Sequence, residues 1–286
     1  MKAFSLLTIV NLLIFLSLSS FIHLFDIGSS SELNLKVLFL ISVSWGFSGA
    51  FISLIISKFV AKRAYKLDII KNPDSEFEKE IVNLVAKISK KAGIKPPEIG
   101  IYSSPEINAF ATGMSKNRGL VAISSGLINS LDREELEGVI AHEIAHIKNG
   151  DMVGMMLVQG CVNSFSFFFS RILAFLAVTS RGSSSYIMYS ISQFIFNLIF
   201  LFFGSLFVLF YSRTREYAAD KLAINFTNPY FLASALERID SIEAPIESPN
   251  FSSFKIHNPF DSWLSTHPKI KNRIKRIKKE AQKRAS

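Results

Sequence analysis

The sequence contains little cysteine and little charge. Its 286 residues include one cysteine, Cys161, and charged residues make up 19% of the chain. A single cysteine excludes an intrachain disulfide and any cysteine-based zinc site, so nothing indicates an oxidising compartment. Soluble domains usually contain about a quarter charged residues. The shortage of charge, together with 49% hydrophobic residues and 27 Phe, argues against an ordinary soluble protein, a disordered chain or a small disulfide scaffold.

Acidic residues are also fewer than basic ones, at 23 against 32, which gives a net charge of +9. The basic residues gather beside apolar segments and near the C-terminus, and no known nucleic-acid-binding motif accompanies them. We therefore expect no nucleic-acid partner. The C-terminal basic run is typical of a solvated helix end that lies against anionic lipid, with a protein docking site as the alternative. It comprises Lys275, Arg276, Lys278, Lys279, Lys283 and Arg284.

Four apolar blocks divide the chain, at about residues 4–25, 37–57, 152–180 and 186–212. Each has the roughly twenty residues that a helix needs to cross a bilayer. The first is too long for a signal peptide and has no small-residue cleavage pattern, so we predict a retained span. Arg171 interrupts the third block. This arginine is expected to snorkel, to pair across the hairpin or to mark a partly embedded segment, although an intramembrane charge can also be functional.

Basic residues follow the second and fourth blocks, whereas the two short connections between blocks contain one basic residue each. The positive-inside rule therefore places both polar segments, 58–151 and 213–286, on the cytoplasmic side of the membrane. Within them, a capping box at Ser75–Glu78 predicts a helix that ends before Gly93. Extended runs at 98–103, 107–112 and 120–124 predict a small sheet. Further helices are predicted to end near Gly150 and to begin at Pro229 and Pro268.

A histidine motif lies in the helix that is predicted to end near Gly150. Its sequence is His142-Glu143-Ile144-Ala145-His146. Residues i and i+4 project from one side of a helix, so the two imidazoles can bind one Zn²⁺. Glu143 lies about a hundred degrees round the helix from His142, where its carboxylate can take a proton from a zinc-activated water without binding the metal. The alternative is an ordinary helix that contains two histidines by chance.

A catalytic zinc site needs a third protein ligand and keeps a fourth position for water. No third histidine follows His146 at a suitable spacing, so a carboxylate further along the chain is the natural substitute. Glu216 is the candidate, because we predict that it begins a helix directly after the fourth apolar block. Asp220 falls on the same face and can accept a hydrogen bond from the outer ring nitrogen of a zinc ligand. Taken alone, these two carboxylates would more often form a solvated helix face, but a zinc motif that needs a carboxylate ligand favours the metal site.

The segment Gly138–Asp151 resembles the zinc motif of the HtpX-type membrane metallopeptidases, which share a peptidase family with the CAAX prenyl proteases. The paired N-terminal blocks, the hairpin after Asp151, the segment Glu216–Asp220 and Ser265–Pro268 followed by Arg273 are similar as well. The resemblance implies that His142, His146 and Glu216 bind one Zn²⁺, that Glu143 is the general base, and that Asp220 supports a zinc-binding histidine.

The resemblance also implies roles for residues outside the histidine motif. The segment Asn108, Ala109, Phe110 and Ala111 is expected to pair its backbone with an extended substrate. The Asn108 side chain, His267 and Arg273 are expected to stabilise the tetrahedral intermediate. From the residues alone, Asn108 could be a turn or edge residue, His267 a helix N-cap and Arg273 a surface residue. His23 and His257 match no ligand position and are expected to be structural.

The expected fold is an integral membrane α+β protein, mainly helical, with two transmembrane hairpins and a zincin-like metallopeptidase domain that contains a small sheet. Residues 1–60 form the first hairpin and 152–212 a second transmembrane or partly embedded hairpin. Residues 61–151 and 213–286 form the cytoplasmic peptidase domain, with the third zinc ligand and the basic helix in its second part. The resemblance implies a multi-pass protein of the bacterial cytoplasmic (inner) membrane.

The expected activity is zinc-dependent cleavage of misfolded or damaged membrane proteins at the cytoplasmic face, as part of a stress response. Its partners would be these substrates and the lipid bilayer. A non-catalytic zinc-binding scaffold and a prenyl-protein processing protease remain alternatives. A channel or transporter is disfavoured, because the sequence has no inverted repeat and no paired intramembrane charges.

Overall fold

The computed structural model describes residues 35–179, 186–243 and 268–285. The helices in this part of the chain are α1 (Leu35–Ala64), α2 (Glu76–Ala92), α3 (Ser125–Ser130), α4 (Arg133–Asn149), α5 (Asp151–Thr179), α6 (Tyr186–Ala223), α7 (Pro229–Glu243) and α8 (Ile270–Ala285). The strands are β1 (Asp68–Ile69), β2 (Glu98–Tyr102), β3 (Ala109–Thr112) and β4 (Leu120–Ser124). The mainly helical fold with a small sheet is confirmed.

Three of the four apolar blocks form helices that are long and apolar enough to cross a membrane, namely α1, α5 and α6. The first block, residues 4–25, lies outside the described residues. The prediction of a separate helix that begins at Glu216 was wrong. α6 continues through the end of the apolar block to Ala223, because no proline or glycine interrupts the polar residues after Ser212.

The chain divides into two compact units. The first, called the membrane unit after its apolar helices, contains the described residues 35–56, 154–179 and 186–208. The second contains 57–153, 209–243 and 268–285 and is called the peptidase unit after the domain that the sequence predicts. In the membrane unit, α1 and α5 approach closely where Gly46 faces Ser164 and Gly160 faces Phe47. Small residues at helix contacts allow the close backbone approach that stabilises helix pairs in lipid.

Arg171 is buried inside the membrane unit, with 8% of its surface exposed. Its guanidinium lies 4.7 Å from the centre of the Phe167 ring. Across the described residues it forms no ion pair, although it interacts electrostatically with Tyr189 and Tyr186 of α6 across the hairpin. A cation over an aromatic face gains part of the electrostatic stabilisation that it loses with its water.

The peptidase unit contains a mixed sheet in the order β1-β2-β4-β3. The central pair β2 and β4 is parallel, and β1 and β3 are antiparallel to their neighbours. All five residues of β4 are buried, as expected for the inner strand of a covered sheet. β3 lies at one end of the sheet, beside α4. The sequence predicted β2, β3 and β4, but not the two-residue strand β1.

The core of the peptidase unit surrounds α4. Residues of α2, β4, α6, α7 and α8 pack with α4 in one hydrophobic cluster, which includes Val85, Val121, Ile140, Ile144, Ala219, Leu232 and Ile277. Gly138 of α4 meets α7 directly, since a Cβ at this position would lie 2.5 Å from the Leu232 backbone nitrogen. α4 is therefore fixed from all sides by packing, and the histidine motif with it.

Substituting alanine for Gly46 is expected to destabilise the membrane unit. The added Cβ would lie 2.2 Å from Ser164 Oγ and 2.4 Å from its backbone nitrogen, so α1 and α5 would have to separate. Overpacking of this kind typically costs about 1–3 kcal/mol. Thermal unfolding in detergent should show a clearly lower midpoint than for the parent. Ser44→Ala, at an exposed position of the same helix, is the control, and equal midpoints for the two variants would contradict the prediction.

Candidate metal centre

The histidine motif lies in the second half of α4, which is well defined at both ends. Asp132 and Glu135 form a capping box at its start. Gly150 ends it in the left-handed conformation, at φ 73°, which glycine adopts without the penalty of a Cβ. His142, Glu143 and His146 are all buried. Buried polar groups on a helix with so little exposure need partners from other elements.

Two imidazoles and one carboxylate converge in this helix-lined site. The Nε2 atoms of His142 and His146 lie 3.0 Å apart. The third group is the carboxylate of Glu216, from α6. Its Oε2 atom is 3.5 Å from His142 Nε2, and its Oε1 atom is 3.4 Å from His146 Nε2. The structure thus brings together the three residues that the sequence predicted as metal ligands, with ligand atoms all within 4.8 Å of one another.

Each imidazole is held on its other side by an aspartate. His142 Nδ1 lies 3.0 Å from Asp220 Oδ1, and His146 Nδ1 lies 2.5 Å from Asp151 Oδ2. Both aspartates are buried, at 3% and 6% exposure. A carboxylate can only accept, so each ring donates from Nδ1. The two rings are thereby oriented with Nε2 toward Glu216.

These contacts fit a bound metal ion. In a neutral imidazole whose proton is on Nδ1, Nε2 carries a lone pair. Two such lone pairs facing each other and a carboxylate repel, unless a cation lies between them. Metal bonds of about 2.0–2.1 Å in tetrahedral geometry separate ligand atoms by about 3.4 Å, close to the separations found here. His142, His146 and Glu216 are therefore suited to hold a metal ion.

The electrostatics of the site favour positive charge. Burial lowers the pKa of His146, but hydrogen bonds to Asp151 and Glu216 outweigh it and raise the pKa to about 10. The pKa of His142 is also raised, because its bonds to Asp220 and Glu216 outweigh its burial. The same three carboxylates that favour a proton on the imidazoles favour a divalent cation in its place.

Arg273 reaches the site from α8. Its Nε and one terminal nitrogen bind the two oxygens of Asp220 at 2.9 and 2.7 Å, and the other terminal nitrogen lies 3.3 Å from Glu216 Oε2. The terminal nitrogen that donates to Asp220 is also 3.3 Å from His142 Nε2. Arg273 is therefore a buried cation at the centre of the site, and the alternative of a surface residue was wrong.

The predicted substrate-binding segment lies at the edge strand β3, which packs beside α4, the helix with the histidine motif. Asn108 directly precedes β3, accepts a backbone hydrogen bond from Ser124 at 3.0 Å and donates one to the Ser124 hydroxyl at 3.1 Å. Phe110 packs its ring against Tyr65 and Tyr102. His267 lies outside the described residues, as do His23 and His257.

Asp151 is the one residue of the site that sequence reasoning missed. It follows Gly150 directly and was interpreted as the boundary between a polar segment and an apolar block. Two signals could have identified it: a left-handed glycine turns the chain back at a helix end, and an unpaired aspartate at the start of an apolar helix needs a partner. Arg215 further fixes this turn with a 2.5 Å hydrogen bond to the Asp151 carbonyl.

Comparison with known proteins gives consistent matches over most of the chain. Residues 75–281 match Peptidase family M48. A protease HtpX homolog of Methylacidiphilum infernorum (isolate V4) is 39% identical over 295 residues, which cover 97% of this chain and 98% of the relative. A protease HtpX homolog of Neisseria meningitidis serogroup C is 42% identical over 234 residues, which cover 82% of this chain and 84% of the relative. Protease HtpX of Aeromonas hydrophila is 37% identical over 287 residues, covering 96% and 98%.

The fold is also similar to a solved structure. The crystal structure of S. mikatae Ste24p matches with a TM-score of 0.58, covering 92% of this chain and 67% of that one. At 18% sequence identity, the similarity concerns the fold alone.

Replacing Asp151 with Asn is expected to weaken metal binding. Asparagine can still accept a hydrogen bond from His146, but it removes the negative charge that stabilises a cation at that ring. Loss of such an outer partner typically costs about 10–100-fold in metal affinity. Competition with a chromophoric chelator measures this directly. Asp68→Asn, at an exposed position of β1, should bind metal like the parent. Parent-like affinity in Asp151→Asn would contradict the assignment.

Proposed function

The chain belongs to peptidase family M48 and is a membrane metallopeptidase of the HtpX type, and on this basis we propose that it is a zinc-dependent endopeptidase of the bacterial cytoplasmic membrane. The proposal depends chiefly on the convergence of the His142 and His146 Nε2 atoms on the Glu216 carboxylate. The resemblance found in the sequence is confirmed at the level of the family. The proposed substrates are misfolded or damaged membrane proteins cleaved at the cytoplasmic face, which implies a role in quality control and stress response.

Zinc is the proposed metal because the donor set is two imidazoles and a carboxylate. Catalytic zinc sites typically have three protein ligands of these types and keep one position open. One Zn²⁺ held by His142, His146 and Glu216 would polarise a peptide carbonyl and make a water molecule acidic near neutral pH. Asp220 and Asp151 would keep both imidazoles in the tautomer that binds a metal.

Glu143 is the proposed general base. It follows His142 on α4, is buried at 8% exposure, and lies close enough to His146 and Arg273 to interact with both electrostatically. In this role its carboxylate takes a proton from the attacking water and passes it to the leaving amine. Arg273, held on Asp220, supplies positive charge for the oxyanion that develops in the tetrahedral intermediate. His267 is proposed to assist it, from the resemblance alone.

The free edge of β3 is the proposed substrate-binding surface. Asn108 directs its backbone NH and carbonyl toward β4. Alternate residues of an antiparallel strand bond to the same neighbour, so the backbone groups of Ala109 and Ala111 face the other edge. No strand occupies that edge among the described residues. An extended substrate segment added there would gain main-chain hydrogen bonds whatever its sequence, which suits the removal of varied damaged proteins.

The membrane location supports membrane-protein substrates. Asp151 is the first residue of α5, and Glu216 lies in the last two turns of α6, and both helices are candidate spans. The basic residues that follow the second and fourth apolar blocks favour a cytoplasmic location for the peptidase unit. Segments of membrane proteins that emerge at the cytoplasmic face are therefore the proposed targets.

Two substitutions test catalysis and metal binding separately. Glu143→Gln should retain about one zinc per chain but lose at least 100-fold in cleavage of an unfolded membrane-anchored substrate, because it removes the general base. Glu216→Ala should lose both the metal and the activity. Elemental analysis and a gel-based cleavage assay of purified protein measure the two effects. Glu134→Gln, at an exposed position of α4, is the control, and parent-rate cleavage by Glu143→Gln would overturn the proposal.

Ala111→Pro tests the edge strand. Proline removes one NH from the free edge of β3 without breaking a hydrogen bond to β4, and edge strands tolerate proline at such positions. We expect a raised KM for an extended peptide, by about tenfold, with unchanged zinc content. Phe110→Pro is the contrasting variant, since it breaks the pairing with β4 and should destabilise the sheet. An unchanged KM for Ala111→Pro would exclude this edge as the binding surface.

A further inference from the structure

The C-terminal helix α8 holds most of the excess positive charge of the protein. Residues 270–285 contain eight basic residues and one acidic residue, Glu280, while the whole chain has a net charge of +9. The helix is not a loose tail. Its apolar side packs into the core of the peptidase unit through Ile277, with Ile270 and Ile274 beside it, and it lies against α7.

The buried side of α8 also holds Arg273, which binds both oxygens of Asp220. Asp220 in turn orients His142. Any force that shifts α8 therefore acts on a hydrogen-bonded chain of three residues that ends at a metal ligand. The helix thus connects the protein surface to the metal centre.

The opposite side of α8 is exposed and basic. Lys271, Lys275 and Lys279 recur every four residues along it and are exposed. None of the three forms an ion pair with any part of the chain that the structure describes. By contrast, Lys278 at the side of the helix pairs with Glu237 of α7 at 2.7 Å. A row of exposed lysines without ion-pair partners among the described residues is complementary to a surface with many negative charges.

The position of α8 along α6 identifies that surface. Arg276 lies over the ring of Tyr217, 3.8 Å from its centre. Phe210, seven residues earlier in α6, is 65% exposed at the end of the apolar run of a candidate span. Seven residues of helix measure about 10 Å, which is close to the combined depth of a headgroup layer and the screening length at physiological salt. Arg276 of α8 therefore lies within electrostatic reach of the headgroups of a bilayer that α6 spans.

We propose that Lys271, Lys275 and Lys279 bind the headgroups of anionic phospholipids, and that this contact holds α8 and Arg273 in the arrangement that supports activity. The membrane is the partner, since the charge of the lysine row and the proximity of Arg276 to the apolar run of α6 both favour it over a soluble polyanion such as RNA. The lipid contact stands on the structure of α8 alone. Its effect on activity rests on the proposed function.

Lipid contact can be measured without activity. The full-length protein carries Cys161→Ser and a bimane fluorophore on Gln282→Cys, an exposed position of α8. It is placed in nanodiscs of phosphatidylcholine, or of phosphatidylcholine with 30% phosphatidylglycerol, each with the same fraction of brominated phosphatidylcholine. We expect at least twofold stronger quenching in the anionic discs. The triple variant Lys271→Gln, Lys275→Gln, Lys279→Gln should lose the difference, as should 0.5 M salt.

The control replaces three exposed lysines at and after the end of α2, Lys87, Lys90 and Lys95, with glutamine, and it should behave like the parent. Equal quenching in both kinds of disc, or an unchanged difference in the α8 triple variant, would overturn the lipid contact. The lipid contact would also be overturned if Lys271, Lys275 and Lys279 bound a single-stranded RNA oligonucleotide that anionic lipid failed to displace. That outcome would reassign the surface to nucleic acid.

Activity in the same discs tests the coupling. The parent should cleave a membrane-anchored substrate several-fold faster in anionic discs than in discs of phosphatidylcholine alone. The triple variant should cleave at one rate in both kinds of disc, equal to the rate of the parent in phosphatidylcholine alone. Equal parent rates in the two discs, together with lipid-dependent quenching, would overturn the coupling and leave the contact. If no cleavage occurs in any disc while quenching responds to lipid, the proposed protease function fails and the lipid contact survives.

Discussion

The metal centre depends on two hydrogen bonds, those from His142 Nδ1 to Asp220 and from His146 Nδ1 to Asp151. Each bond fixes the tautomer and the angle of one ring, and together they direct both Nε2 atoms toward Glu216. Without them, two buried imidazoles would repel or rotate apart. The surrounding structure positions these two aspartates beside α4. The left-handed turn at Gly150 places Asp151 against His146, and the continuous helix α6 places Asp220 against His142.

Local spacing made part of this site predictable. The separation of His142 from His146, and of Glu216 from Asp220, places each pair on one helix face, so two short segments contained four residues of the site. Asp151 was missed because its role arises from the turn at Gly150, which brings a residue of the next helix back against the previous one. The contact of Arg273 with Asp220 spans 53 positions, and no local pattern encodes it.

The elements were predicted where one physical signal dominated, and missed where two competed. Long apolar runs gave α1, α5 and the start of α6, and the capping residues gave α2 and α4. At Ser212 the change from apolar to polar composition suggested a helix end, but helix propensity carried α6 on to Ala223. β1 has only two residues, too few for an alternating pattern, and exists because the edge of β2 accepts it.

The order of the site residues along the chain has a consequence for biosynthesis. His142 and His146 belong to α4, Glu216 belongs to the last part of α6, and Arg273, which contacts Glu216, belongs to α8. The intervening segment contains two membrane-length helices. A ribosome-bound chain that has just completed α4 thus has only two of the three proposed ligands, and it gains the third only after the helical pair has been synthesised. A metal site built from these residues is therefore complete only after both membrane-length helices of this segment have been synthesised.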